Sequence, residues 1–261
     1  MRRTSWLLVL GLLGAPAPSP AAEEGKDDDI PTQDLRAGKD EKKRYLLHGP
    51  RKGAVDPKEG WRLLVAMPGG DGSADFQGFV KDILRNALSD EFLVAQPVSV
   101  KWTEGQEVVW PVKLNPAPKM QFTTEEFVDA VIADVAKGRK VDAGRVFTLS
   151  WSSSGPAAYA VALREKTPVT GSYVAMSVFF PSNLPPLKNG RGRAFFLDHS
   201  PGDTVCRFTF AEKARDELKK NGALVEFSTY EGGHGWQGDV FGRLRKGFEF
   251  LERNRAKSPA K

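Results

Sequence analysis

The chain has 261 residues, 40% of them apolar and 27% charged, with 26 Gly, 18 Pro and a single Cys. That apolar share excludes a disordered protein, and one cysteine excludes an intramolecular disulfide framework and any cysteine-rich zinc or iron–sulfur site. The 38 basic and 33 acidic residues leave a net charge of +5, with no polybasic block interleaved with aromatics, which argues against a nucleic-acid groove.

Met1-Arg2-Arg3 supplies a positive start, residues 6–13 with Gly14 and Ala15 a short apolar core, and Ser19-Pro20-Ala21-Ala22 small residues for a peptidase. This three-part pattern predicts a signal peptide over 1–22 and a secreted or periplasmic protein. The apolar core is short for a hydrocarbon layer of ~30 Å, so no stable membrane anchor is expected, a retained anchor being the alternative. A free thiol is unusual outside the cytoplasm, so Cys206 is expected to be buried or inert.

Residues 23–44 are crowded with charge, including Asp27-Asp28-Asp29, and hold few apolar residues. They read as a mobile arm. One domain is expected over 45–255, followed by a tail at 256–261.

Within that domain strand and helix patterns alternate. Residues 45–47 and 61–67 (WRLLVAM) read as strands, the second ending at Pro68-Gly69-Gly70. Apolar residues at Phe76, Phe79, Val80, Ile83, Leu84, Ala87 and Leu88 form a helical stripe. Residues 92–95 are a strand, and Thr123 with Glu126 is a capping box opening a helix. Residues 146–149 form a strand running into Ser150-Trp151-Ser152-Ser153-Ser154-Gly155, and an Ala-rich helix follows over 156–164. Residues 173–176 and 194–197 are strands. Thr209 with Glu212 is expected to cap the next helix, which Gly222 stops. A strand over 224–230 and a helix over 240–251 close the domain.

Alternation of this kind needs crossover connections, hence an α/β fold with a mostly parallel sheet and helices on both faces. Sites in such sheets lie at the carboxyl ends of the strands, which here are residues 68–72, 150–155, 198–203 and 232–235.

A serine at a sharp strand-to-helix turn exposes its hydroxyl beside unpaired helix N–H groups, and the turn demands small residues two before and two after it. Ser150 and Ser154 meet that demand around Ser152, whereas centring on Ser153 would place Trp151 in a crowded position. A serine-rich loop that only caps the helix is the plainer alternative. The base has three candidates. His234 is framed by Gly232, Gly233 and Gly235 after a strand, while His48 and His199 read as surface histidines. For the acid, Asp203 in the loop Ser200-Pro201-Gly202-Asp203 is preferred to Asp198, which is expected to order the loop, with Glu231 and Asp239 weaker. The resulting chain order is Ser…Asp…His.

These residues carry a resemblance, over about residues 45–251, to α/β-hydrolases of the phospholipase/carboxylesterase kind. Relatives of that kind include acyl-protein thioesterases, dienelactone hydrolases and polyhydroxybutyrate-depolymerase-like esterases. The family elbow Gly-x-Ser-x-Gly-Gly is matched by residues 150–155, with serines at 150 and 154 in place of glycines. The family acid motif Asp-x-x-Val is matched by Asp203-Thr204-Val205 with one residue fewer, and its histidine by Gly232-Gly233-His234-Gly235. The family's His-Gly-x-Gly oxyanion loop is matched by Pro68-Gly69-Gly70-Asp71-Gly72, proline replacing histidine.

The resemblance implies a serine carboxylic-ester hydrolase working through an acyl-enzyme, with Ser152, Asp203 and His234 catalytic and the N–H groups of Gly70 and Ser153 holding the oxyanion. It requires no metal or organic cofactor. The expected substrate is a small-molecule or polymer-derived ester, its pocket shaped by the Trp- and Pro-bearing connections 98–122 and 179–192. An inactive binding protein of the same fold, or a peptidase or thioesterase, is the alternative.

Overall fold

The computed structural model describes residues 29–255; the expected signal peptide at 1–22 and the tail at 256–261 lie outside them. In chain order the elements are β1 (Thr32–Arg36), β2 (Arg44–His48), β3 (Trp61–Met67), α1 (Gln77–Ala87), β4 (Phe92–Pro97), α2 (Thr124–Gly138), β5 (Val141–Trp151), α3 (Gly155–Ala162), β6 (Gly171–Ala175), β7 (Ala194–His199), α4 (Phe208–Lys220), β8 (Leu224–Thr229) and α5 (Val240–Asn254).

The strands form one eight-stranded sheet in the order β1-β2-β4-β3-β5-β6-β7-β8. The β1–β2 and β2–β4 pairs are antiparallel, and every other pair is parallel. Strands covered on both faces read as unbroken apolar runs rather than alternating ones, as residues 63–67 of β3 and 92–95 of β4 do. Apolar residues of α2, α3 and α4 pack on one face of the sheet and those of α1 and α5 on the other.

The described part of the expected arm is ordered. Residues 32–36 form β1, hydrogen-bonded along their whole length to β2. Its sequence TQDLR has one apolar residue, so hydrophobic patterning does not reveal it. It is held at the sheet edge by main-chain pairing and by the Arg44 guanidinium, whose Nη2 donates to Asp34 Oδ2 at 2.8 Å.

The helix ends divide between expectation and correction. Thr123 and Glu126 make the capping box: Glu126 N–H donates to Thr123 Oγ1 at 3.1 Å, and Thr123 N–H to Glu126 Oε2 at 2.7 Å. Gly222 ends α4 with φ at +89°. Thr209, however, is not the cap, because α4 begins at Phe208, with Arg207 at the N-cap and no side-chain bond there. The Phe208 ring stacks on Phe227 with centroids 5.4 Å apart, and this packing draws the chain into helix one residue before the capping pattern.

Register fixes the location of the loops. Met67 lies opposite Ser150, Ser150 opposite Val174, Val174 opposite Leu197 and Leu197 opposite Phe227. The loops after β3, β5, β6, β7 and β8 therefore leave from one edge of the sheet.

The connection 98–122 reaches that edge but packs inward. Trp110 is buried, its indole N–H donates to the Pro68 carbonyl at 2.9 Å, and a Cβ at Gly72 would sit 2.8 Å from its ring. Trp110 thus braces the loop after β3 from below. In the connection 179–192, Phe179 is buried against Tyr159, whereas Phe180 is exposed at its surface.

Candidate active site

Strand β5 ends at Trp151, and a 3₁₀ turn of Ser152–Ser154 leads directly into α3. Ser152 has φ at +55°, a left-handed conformation that a residue with a side chain adopts only under constraint and that concentrates at functional turns. The constraint is visible in its neighbours. The buried Ser154 hydroxyl donates to the Met67 carbonyl at 2.7 Å and receives the Trp151 N–H at 3.0 Å. The Ser177 hydroxyl donates to the Ser152 carbonyl at 2.6 Å. A Cβ on Gly155 would lie 2.0 Å from Ser177 Oγ, so glycine is obligatory at that position. Ser150 is buried with its hydroxyl 3.4 Å from the Tyr173 carbonyl. The two serines standing where the resembled family has glycine are therefore accommodated, and the hydroxyl of Ser154 is a working part of the turn.

Ser152 is partly exposed, and its Oγ lies 2.9 Å from His234 Nε2. His234 Nδ1 in turn lies 2.8 Å from Asp203 Oδ2. With its Nδ1 facing a carboxylate, the neutral imidazole carries its proton there and offers Nε2 as acceptor to the serine hydroxyl. The Asp203 side chain is fully buried and the His234 ring 22% exposed. Asp203 Oδ1 receives the backbone N–H groups of Val205 and Cys206, each at 2.8 Å.

The acid and histidine loops are joined to each other. Ser200 Oγ donates to the Gly232 carbonyl at 2.7 Å, and a Cβ on Gly202 would stand 2.3 Å from that same oxygen. The histidine loop is further held by the Tyr230 hydroxyl, which donates to the Gly235 carbonyl at 2.9 Å, while the Arg243 guanidinium lies over the Tyr230 ring.

The other candidates fall elsewhere. Asp198 is buried beneath the loop and paired with Arg243 at 3.0 Å, where burial raises its carboxyl above the usual range against the lowering pull of Arg243. Asp239 caps α5 by accepting Gly242 N–H at 2.9 Å, and Glu231 is exposed. His48 and His199 are not surface histidines. His48 is enclosed between β1 and β4, Nδ1 2.9 Å from Thr32 Oγ1 and Nε2 3.2 Å from Gln96 Oε1. His199 is buried at the end of β7, with Nε2 2.6 Å from the Cys206 carbonyl and 3.2 Å from Asp203 Oδ2. Partners 16 to 48 residues away enclose His48, which local sequence does not display.

Gly70, with φ at +59°, is brought beside the nucleophile turn, where the Ser153 hydroxyl donates to its carbonyl at 2.8 Å. Cys206 is buried with its thiol against the Ser152 hydroxyl, and burial together with the Asp203 charge pushes that thiol up to about 11. Sequence reasoning missed Ser177, Ser200 and an aromatic group around the site. Trp151 makes edge contacts with Phe76, Phe79 and Trp236 at centroid distances of 5.6, 5.8 and 5.8 Å. The signal for the last was available: aromatic residues one before Ser152 and two after His234.

No protein-family model matches the chain, and no curated protein matches its sequence. Solved structures do match in shape. A bacterial heroin esterase superposes with a TM-score of 0.63 at 14% identity, over 90% of this chain and 87% of that one. A thermostable esterase from Pseudomonas putida gives 0.64 at 12% identity, over 88% and 85%. A fungal esterase from Rhizomucor miehei gives 0.64 at 11%, over 86% and 83%. The order of the strands, the strained serine at the end of β5 and these likenesses together establish that the chain has the α/β-hydrolase fold.

Proposed function

We propose that the protein is a serine hydrolase of carboxylic esters working through an acyl-enzyme. The observation that carries this reading is the continuous relay from Ser152 Oγ through His234 to Asp203, with both bonds under 3 Å and the serine in the left-handed conformation of a nucleophile turn. His234 Nε2 takes the Ser152 proton as the hydroxyl attacks the acyl carbon, and returns it to the leaving alcohol. Asp203 holds the imidazole in the required tautomer and stabilises the imidazolium. Water then attacks the acyl-enzyme with His234 as base.

The developing oxyanion is assigned to the backbone N–H groups of Gly70 and Ser153. Loss of one such donor costs about 3–4 kcal/mol in the transition state. Gly69 and Gly72 let the Gly70 loop lie close: Cβ atoms there would stand 2.6 and 2.7 Å from Trp151 and Ser99.

The substrate reading is an ester with an apolar or aromatic portion, from a small molecule or a polymer. Phe76 and Trp236, which pack on Trp151 next to the nucleophile, and the exposed Val205 of the acid loop support it. The signal-like residues 1–22 support a secreted or periplasmic site of action.

A panel of p-nitrophenyl esters of increasing acyl length, with feruloyl and acetyl-sugar esters beside it, tests the reading. Turnover of some members that vanishes in Ser152→Ala supports it. No turnover of any member by folded protein points instead to a binding protein that kept the fold.

A further inference from the structure

We propose that His199 is a positioning residue for the relay, a second imidazole that shares the acid with His234. This rests on the reading of Ser152, His234 and Asp203 as a hydrolytic relay. His199 Nε2 stands 2.6 Å from the Cys206 carbonyl and 3.2 Å from Asp203 Oδ2. Both neighbours are acceptors, so this nitrogen carries a proton whatever the charge on the ring. Asp203 Oδ2 therefore accepts the His234 N–H and stands 3.2 Å from His199 Nε2, whose proton goes to the Cys206 carbonyl, while Oδ1 takes the two backbone N–H groups of Val205 and Cys206.

A carboxylate with three hydrogen bonds, a second imidazole against it and no solvent exposure is held in rotation. This arrangement has an electrostatic consequence. The His199 ring, held by the Cys206 carbonyl with its Nε2 3.2 Å from Oδ2, draws on the carboxylate charge and so moderates how strongly Asp203 stabilises the His234 imidazolium. Burial holds His199 itself below the usual histidine range, against the raising pull of the Cys206 carbonyl and Asp203, so it donates as a neutral ring. The Phe208 ring stands edge-on to it, with centroids 5.9 Å apart. The charged and titratable groups around the two imidazoles are Asp203, Asp198 with Arg243, Cys206 and Tyr230; Asp203 is the one that both rings approach.

The test compares three substitutions on the full chain. His199→Phe keeps the packing and removes the donor. His199→Gln places an amide nitrogen where Nε2 stood, whereas His199→Asn places its amide nearer the position of Nδ1. The expected result is a fall in kcat of about tenfold or more for Phe and Asn with KM within about twofold, and recovery by Gln to within about threefold of the parent. The acid limb of the kcat/KM profile, which reports the base in the free enzyme, moves to higher pH in Phe and returns towards the parent in Gln. A parent-like kcat and acid limb in His199→Phe overturns the proposal, as does a Gln variant that falls as far as Asn. Should the Phe variant not fold, the Gln and Asn pair decides. NMR titration of the His234 ring reads the same shift without turnover. It keeps the proposal testable if ester hydrolysis proves independent of Ser152, an outcome that sinks the proposed function alone.

Discussion

The Ser154 hydroxyl donates to the Met67 carbonyl at 2.7 Å, joining the nucleophile turn to the end of β3. It also receives the Trp151 N–H at 3.0 Å, so one buried side chain closes the turn from both sides. Replacing it removes bonds that water cannot supply, since Ser154 is fully buried. Ser154→Ala is expected to lower stability by about 1–3 kcal/mol and to reduce turnover through a displaced Ser152. Denaturant unfolding and ester kinetics on the same preparation check both. Unchanged stability would mean that the hydroxyl is incidental.

Asp203 and Asp198 are both buried near the end of β7, yet they do different work. Asp203→Asn leaves His234 without the group that fixes its tautomer, so kcat is expected to fall about 10⁴-fold with the fold retained. Asp198→Asn instead leaves the Arg243 guanidinium short of its counter-charge. It is expected to cost roughly 3 kcal/mol of stability while turnover stays within about tenfold. Steady-state kinetics and chemical denaturation separate the two; a reversed pattern would move the acid to 198.

The buried, neutral His199 makes stability depend on pH. Its folded pKa is lowered, chiefly by burial, so as pH falls below about 6.5 the unfolded chain takes a proton that the native state refuses. That part of the stability is complete above about pH 6.5 and is lost on acidification, at no more than about 1.4 kcal/mol per pH unit. Urea midpoints at neutral and mildly acidic pH should therefore converge in His199→Gln relative to the parent. An equal slope in both proteins would contradict the assignment.

Cys206 lies against the nucleophile without being one. Burial and Asp203 push its thiol up to about 11, so thiolate is scarce at neutral and mildly alkaline pH. Folded protein is expected to resist iodoacetamide at pH 8, and unfolded protein to be alkylated. Rapid native alkylation, followed by mass spectrometry, would refute this.

Much of the site is legible in the sequence because each functional residue is announced by its immediate surroundings. Ser152 follows a buried strand and precedes an Ala-rich helix, His234 is wrapped in glycines, and Asp203 sits among turn residues. The parallel sheet follows from the alternation of patterns. What local pattern does not carry is long-range enclosure. Strand β1 is polar and depends on β2 for its conformation. His199 is buried by the turn that Asp203 and Cys206 make around it. The α4 start yields to the stacking of Phe208 on Phe227, a contact between an element and its successor in the sheet.

The most direct test is labelling of folded protein with a serine-directed fluorophosphonate, with the modified peptide mapped by mass spectrometry. The phosphonyl group is expected on Ser152, and labelling should disappear in Ser152→Ala and slow sharply in His234→Ala. A label on Ser150 or Ser153 would relocate the nucleophile, and folded parent protein that takes up no label would contradict the hydrolytic account.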